Sequence, residues 1–266
     1  MSHDIDKLLQ DHGADLSSFE EEPEQPRIRS GTVATKMAIP LWMALRNAFP
    51  RTGLWPLIRG PEKPEFEEYP IPLQPYSVNE ELFQAVLQER SERYGDICEG
   101  LDPSRPWEQI VQAVDASGMY TFSGRPLPPE SFPTIEPQAA PRFHALGDST
   151  GRKAPESIWF SIIETHDPTE IPMLTAFHGG EDCPPPNAQV EWLRRWRESH
   201  GAVPACLTSN YLECFVEHPP QNEQDSMRLA FEQWIFCKDI VSQGTQSIRN
   251  LAITLWKSPD WYFWWD

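Results

Sequence analysis

Cys237 and Asp239 stand two residues apart, and His178, His200 and His218 lie in the same third of the chain. A thiol attacks as a nucleophile when its pKa is lowered, a base lies within reach and substrate has access. A Cys–His pair built from Cys237 and one of these histidines is therefore the first chemistry to weigh. Against it, Cys237 follows an apolar helical stripe that ends at Ile235 and Phe236. That context predicts a buried, protonated thiol, with Asp239 binding backbone donors of the next turn. His178, Asp182, Cys183 and His218 are the residue types of a metal site, but they lack the close spacing of a preformed one. No metal and no cofactor is expected. Gly179-Gly180 and Gly244-Thr245 lack the lysine and the helix register of a phosphate loop.

Two aromatic clusters add to this set. Arg194, Arg195 and Arg197 interleave with Trp192 and Trp196, a pattern able to stack on single-stranded nucleic acid. In so acidic a chain the better reading is a solvated helix face with packed tryptophans. The sequence closes on Trp261-Tyr262-Phe263-Trp264-Trp265-Asp266. Five adjacent rings exposed to water would be costly, so this stretch should dock into the fold, as a strand. Asp266 then brings its side-chain charge and that of the chain terminus, for which Arg194, Arg195 or Arg249 are the expected donors. Trp264, Trp265 and Asp266 accordingly join Cys237, Asp239, His178 and His218 as candidate pocket residues.

The elements that must position these residues follow from periodicity. Residues 4–12 suit a short helix, and an acidic, proline-containing stretch follows. Thr32–Met37 reads as a strand, Pro40–Phe49 as a helix and Leu54–Ile58 as a strand, a β-α-β unit. Helices are expected over Asn79–Tyr94 and Pro106–Ala116. Residues 124–156 hold seven prolines and read as a linker or long loop. Beyond them, strands are expected at Ile158–Glu164, Pro172–Phe177, Val203–Thr208 and Tyr211–Glu217. Helices are expected from Asn187 to His200, Glu223 to Cys237 and Thr245 to Trp256. The fold class is α+β, a mainly antiparallel sheet with helices packed on one face, preceded by the smaller β-α-β unit. Four regions result: an acidic N-terminal helix and loop (1–30), an N-terminal α/β region (31–123), the proline-rich stretch (124–156) and a C-terminal α+β domain (157–266).

Composition sets the outer limits. The chain has 266 residues, 39% of them hydrophobic, with 11 Trp and 28 Pro, enough for a core and unlike a helical bundle. The net charge of −18 is spread along the chain. It excludes nucleic-acid binding through a general basic surface and disfavours anionic membranes. Five cysteines without a CxxC pair argue against a disulfide framework or zinc ribbon. With no signal-peptide pattern and no long apolar run, a cytoplasmic protein is expected. Nothing sets an oligomeric state.

Phe236-Cys237-Lys238-Asp239-Ile240-Val241-Ser242-Gln243-Gly244-Thr245, with the aromatic hexapeptide, resembles the bacterial domain of unknown function 4253. Leu193-Arg194-Arg195-Trp196, His200-Gly201 and His218-Pro219-Pro220 agree with it, and Arg51-Thr52-Gly53-Leu54-Trp55-Pro56-Leu57 resembles an N-terminal portion often found with that domain. Lys238 stands where the resemblance implies proline, and His178 where it implies tryptophan. The resemblance implies no activity. The residues themselves point to a non-enzymatic protein-interaction module, immunity-like or regulatory, whose acidic surface meets a basic protein partner. The alternative is an enzyme with a site near Cys237, Asp239 and the aromatic end.

Overall fold

Among the described residues there are seven strands, β1 (Glu20–Glu22), β2 (Gln25–Ala34), β3 (Leu54–Gly60), β4 (Ser157–Glu164), β5 (Val203–Leu207), β6 (Tyr211–Phe215) and β7 (Asp260–Trp264), and apolar, β-branched and aromatic residues dominate β3 to β7. The computed structural model describes residues 3–23, 25–65, 76–79, 81–82, 84–86, 109, 132, 140–147 and 154–266. All seven strands join one open sheet in the order β1-β2-β4-β3-β5-β6-β7. Neighbours run antiparallel except β3 and β5, which pair in parallel at Ile58 and Cys206. The helices are α1 (His3–Asp11), α2 (Ala38–Thr52), α3 (Ile171–Leu174), α4 (Pro186–His200), α5 (Glu223–Phe236) and α6 (Ile248–Leu255). The result is α+β with a mostly antiparallel sheet.

Both faces of that sheet are covered, one more than the sequence reading foresaw. Cross-strand pairs Leu212–Phe263 and Cys214–Trp261 face α4 and α5. There Phe263 stacks on Trp196 of α4, with centroids 5.4 Å apart and planes 2° from parallel. Phe236 of α5 meets the edges of Phe263 at 4.9 Å and Trp265 at 5.4 Å. Alternation sends Glu213, Phe215 and Tyr262 to the other face. Trp42 of α2 meets Phe215 at 5.5 Å and Phe143 at 6.1 Å on that side. One continuous core runs from Ile5 and Leu9 through Trp42, Phe160 and Trp196 to Trp265. The strands before residue 61 and those after 156 therefore share it.

Some expected elements differ in the structure. Pro172–Phe177 is not a strand. Asp167 accepts a hydrogen bond from the Thr169 N–H at 3.0 Å and starts a 3-10 turn over Pro168–Glu170, which runs into α3. A four-residue apolar run carries no decisive period, and this cap chooses the helix. Helix α2 passes Pro50 to end at Thr52, where Gly53 at φ +65° closes it with an N–H to Phe49 O bond. Pro186 opens α4, with Pro185 rather than Asn187 at the cap position. A π-helical turn spans Ile240–Thr245, and Ser247, not Thr245, caps α6 by accepting from the Asn250 N–H. β2 ends at Ala34, and Thr35–Met37 is a 3-10 turn. Asn79 Oδ1 accepts from the Leu82 N–H at 2.9 Å, as a cap would. Residues 81–82, 84–86 and 109 are helical, and the rest of the helices expected over 79–94 and 106–116, with most of 124–156, lies outside the described residues.

β7 pairs along its whole length with β6, and Trp261, Phe263 and Trp265 are each at most 1% exposed. Removing a buried aromatic side chain costs about 3–5 kcal/mol, against a whole-domain stability of about 5–15 kcal/mol. Deletion of residues 261–266 should therefore abolish cooperative thermal unfolding measured by circular dichroism. A truncated protein that melts at the wild-type temperature would contradict this docking.

Candidate ligand-binding cleft

The parallel pair creates an opening at one end of the sheet. The strand that follows β3 in sequence, β4, is its neighbour on one side, whereas β5 turns at Thr208-Ser209-Asn210 into β6 on the other side. Loops that diverge from neighbouring parallel strands leave a crevice beyond their carboxyl ends. A cavity of about 1010 Å³ occupies that position. Pro61–Glu65 after β3, Thr208–Asn210 after β5, His144–Ala145 and Thr175–His178 form its walls, with Arg59 and Tyr211 among the lining side chains.

Arg59 owes its place to a β-bulge. Pairing with β4 steps from Ile58–Phe160 to Gly60–Trp159, so Arg59 is the extra residue, and Gly60 takes the turn at φ +81°. Only 7% of Arg59 is exposed. Burial pushes its guanidinium down to about 10, with Glu22 pulling the other way, so it stays charged at neutral pH. Lys63 stands on the rim, its Nζ 5.6 Å from the Trp159 ring. Glu62 and Glu65 share that rim, so the lining is mixed in charge and Arg59 is its buried cation.

The wall at His144 is held by a buried acid. Glu213, 1% exposed, accepts hydrogen bonds from the backbone N–H of His144 at 2.6 Å and of Ala145 at 2.9 Å. It pairs across the strands with Cys206 and Tyr262. The His144 ring lies 4.5 Å from Tyr262, and Asp260 accepts from the Arg142 N–H at 2.6 Å. Burial pushes the Glu213 carboxyl up to about 7, the N–H donors and the Cys206 thiol opposing it and Asp260 adding to it. Cys206 is raised as well, by burial and by Glu213.

Of the residues singled out by sequence, His178 alone lines the cleft. It is exposed, its Nδ1 3.0 Å from Ala176 O. Trp265 stands behind the same wall, its ring 5.9 Å from Phe177 and its backbone N–H donating to Asn210 O at 3.2 Å. Gly179 and Gly180 fit closely there: a Cβ on Gly179 would fall 2.8 Å from the Trp265 ring, and one on Gly180 2.8 Å from Asp266 O. Cys237 is buried, its Sγ donating to Trp264 O at 3.0 Å, and burial pushes the thiol up to about 12. Asp239 is buried beside Ser242 at 3.4 Å. His218 lies at the opposite end of the sheet, where its N–H bonds His200 O.

The arginines expected at Asp266 have other roles. Arg194 pairs with Glu191, Glu170 and Asp167, Arg195 with buried Glu232, and Arg249 lies over Phe132. Asp266 O instead accepts from the Glu181 N–H at 3.1 Å, and its carboxylate from Gln243 at 3.5 Å. Among the described residues no group of three or more His, Cys, Asp or Glu is placed to hold a metal, and no helix is long and apolar enough to cross a membrane. Sequence reasoning missed Arg59, His144, Tyr211 and Glu213. Arg59 in Leu57-Ile58-Arg59-Gly60 and Glu213 in Leu212-Glu213-Cys214 were the available signals, since a lone charge inside an apolar strand needs a reason to be there.

The fold and cleft define an α+β protein with a mixed, open sheet and a polar crevice at the carboxyl ends of its parallel strands. Residues 160–266 match the family described as a domain of unknown function, DUF4253. No curated protein and no solved structure matches the chain. The match takes in β5, β6, β7 and His178, whereas Arg59, Lys63 and His144 precede it. The cleft is thus built jointly by the matched region and the strands that extend its sheet.

Glu213 makes stability depend on pH. Its folded pKa lies above the ordinary 4.5, so the folded state binds the proton more tightly. The stability it adds is complete below that ordinary value and is lost as pH rises through about 7. Between about pH 5.5 and 8, wild type should lose about 2 kcal/mol relative to Glu213→Gln in denaturant unfolding. Two proteins whose stabilities run parallel across that window would contradict this state of Glu213.

Proposed function

We propose that the protein is a non-enzymatic binding module, regulatory in character, that receives a small ligand in the cleft beyond β3 and β5. One observation carries this reading: a cavity of about 1010 Å³ opens beyond the carboxyl ends of the parallel strands β3 and β5. That is the size of a small-molecule site, with apolar walls and a few convergent polar groups. Phe177, Leu207 and Ala145 give the walls, and Arg59, Tyr211 and His178 the polar points. The alternative enzyme centred on Cys237 and Asp239 draws no support from geometry. The thiol is buried and engaged with Trp264 O, while His178 and His218 stand at opposite ends of the sheet.

A protein-interaction reading retains one specific support, the net charge of −18, which gives a long-range field suited to a basic partner. It concerns the outer surface and is compatible with a ligand in the cleft. Both readings suit a cytoplasmic protein.

Ser209 is exposed at the hairpin tip and lines the cleft, so Ser209→Trp should fill the opening and leave the core intact. In a saturation-transfer NMR screen of fragments on the full chain, those that bind wild type should weaken at least about tenfold in Ser209→Trp, as expected when a pocket is occluded. Unchanged binding with an unchanged melting temperature would place the ligand elsewhere and overturn the proposal.

A further inference from the structure

We propose that the cleft selects uncharged ligands with a planar aromatic ring, and that the ring of Tyr211 is the surface on which they stack. This rests on the cleft being the binding site and names what that site takes. Tyr211 is half-buried and lines the cleft at the start of β6. Its ring lies 5.3 Å from that of Tyr262, whose hydroxyl donates to the Tyr211 hydroxyl. The His144 ring, also in the lining, lies 4.5 Å from the same Tyr262. Phe177 lines the cleft as well and has the edge of Trp265 behind it at 5.9 Å. Each of these lining rings is thus fixed by a second ring, and a face held in place beforehand loses little freedom when a ligand settles on it.

Two rings attract each other by more than the area they bury, because the negative face of one meets the positive edge of the other or stacks offset on it. A saturated ring of the same outline lacks that term. The lining hydroxyls are engaged within the chain: Thr175 Oγ1 donates to Ile171 O at 2.8 Å, and Thr208 Oγ1 accepts from the Tyr211 N–H at 3.1 Å. Ring faces therefore carry more of the selection than these hydroxyls do. The charges of the lining balance, with Arg59 and Lys63 against Glu62 and Glu65. Arg59 has Glu22 as its charge partner, and Lys63 lies over the Trp159 ring at 5.6 Å. An ion entering the cleft gives up its hydration and meets charges of both signs, a cost that a neutral ring does not carry. The net charge of −18 opposes anions at long range, and the two lining bases oppose cations at short range.

Matched probes on the full chain test the claim by NMR titration: benzamide against cyclohexanecarboxamide, and naphthalene-2-carboxamide against its decahydro analogue. Area burial alone favours the saturated member of each pair, which is the bulkier. The aromatic member should instead bind at least about threefold more tightly, the worth of a modest aromatic pair. The ring-proton signals of Tyr211 should move upfield with the aromatic probes and stay in place with the saturated ones. Benzoate and benzylammonium should bind no more tightly than benzamide. Tyr211→Leu should remove the aromatic preference, and Ser209→Trp should weaken every probe. If Tyr211→Leu does not fold, the wild-type pairs, the Tyr211 signals and Ser209→Trp still decide. A preference that survives Tyr211→Leu would overturn the role of Tyr211, and a charged probe that binds more tightly than benzamide would overturn the uncharged class. Saturated probes that bind as well as the aromatic ones and are blocked by Ser209→Trp would overturn ring selection and leave the cleft reading standing. No binding by any probe, or binding indifferent to Ser209→Trp, would overturn both.

Discussion

The stack of Phe263 on Trp196 is the contact on which the rest depends. It fastens the last strand to α4, and through Phe236 to α5, so that three sequence-distant elements meet in one aromatic cluster. A single aromatic pair adds about 0.5–1.5 kcal/mol beyond the area it buries. Here several such pairs share their rings, so the loss of one ring loosens its neighbours. With β7 in place, Trp265 is carried past the end of the sheet to Phe177 and Asn210, two residues of the cleft lining. The aromatic end of the chain thus serves as a backing wall. Its own side chains do not line the cleft, but those that do lean on it.

The other half of the cleft is set by backbone irregularity. Strands β3 and β5 each carry a register shift near their parallel pairing, at Ile58/Gly60 and at Pro204/Cys206. The first delivers Arg59 to the cavity. The second brings Cys206 opposite Glu213, whose carboxyl holds the backbone of His144 and Ala145 against the sheet. An ionisable group of each kind, basic Arg59 and acidic Glu213, is buried at this end, each beside a local break in the ladder. Such placements cost stability and are kept where a site uses them.

Much of the fold was legible because long periodic segments declare themselves. The helical stripe from Met227 to Ile235 and the strand over Leu54–Ile58 survive in α5 and β3 with small shifts at their ends. The aromatic hexapeptide was legible for a simpler reason: five rings have to be buried somewhere. The run after Ile171 was misread because four apolar residues fit a strand or a helix, and the decision lay in Asp167 and Pro168 before it. The cleft was largely illegible. Arg59, His144 and His178 are far apart in sequence and meet through a parallel pairing and a bulge, neither of which leaves a composition signal. Cys237 and Asp239 drew attention by residue type, yet their surroundings make them part of the packing. His178 was singled out as one half of a catalytic pair and lies instead on a cleft wall backed by the aromatic end.

The central claim is that β7 and its following residues hold the cleft wall. Hydrogen exchange on Trp265→Ala, read segment by segment against wild type, tests it most directly. The amides of residues 177–183 and 208–211 should lose protection, because Phe177 and Gly179 pack on the Trp265 ring and the Glu181 N–H and Asn210 O bond the chain on either side of it. The amides of β2 and β4, at the far side of the sheet, should keep theirs. Uniform loss across the sheet would show that Trp265 supports the fold as a whole, and unchanged exchange at 177–183 and 208–211 would show that the wall stands without it; either result contradicts the account.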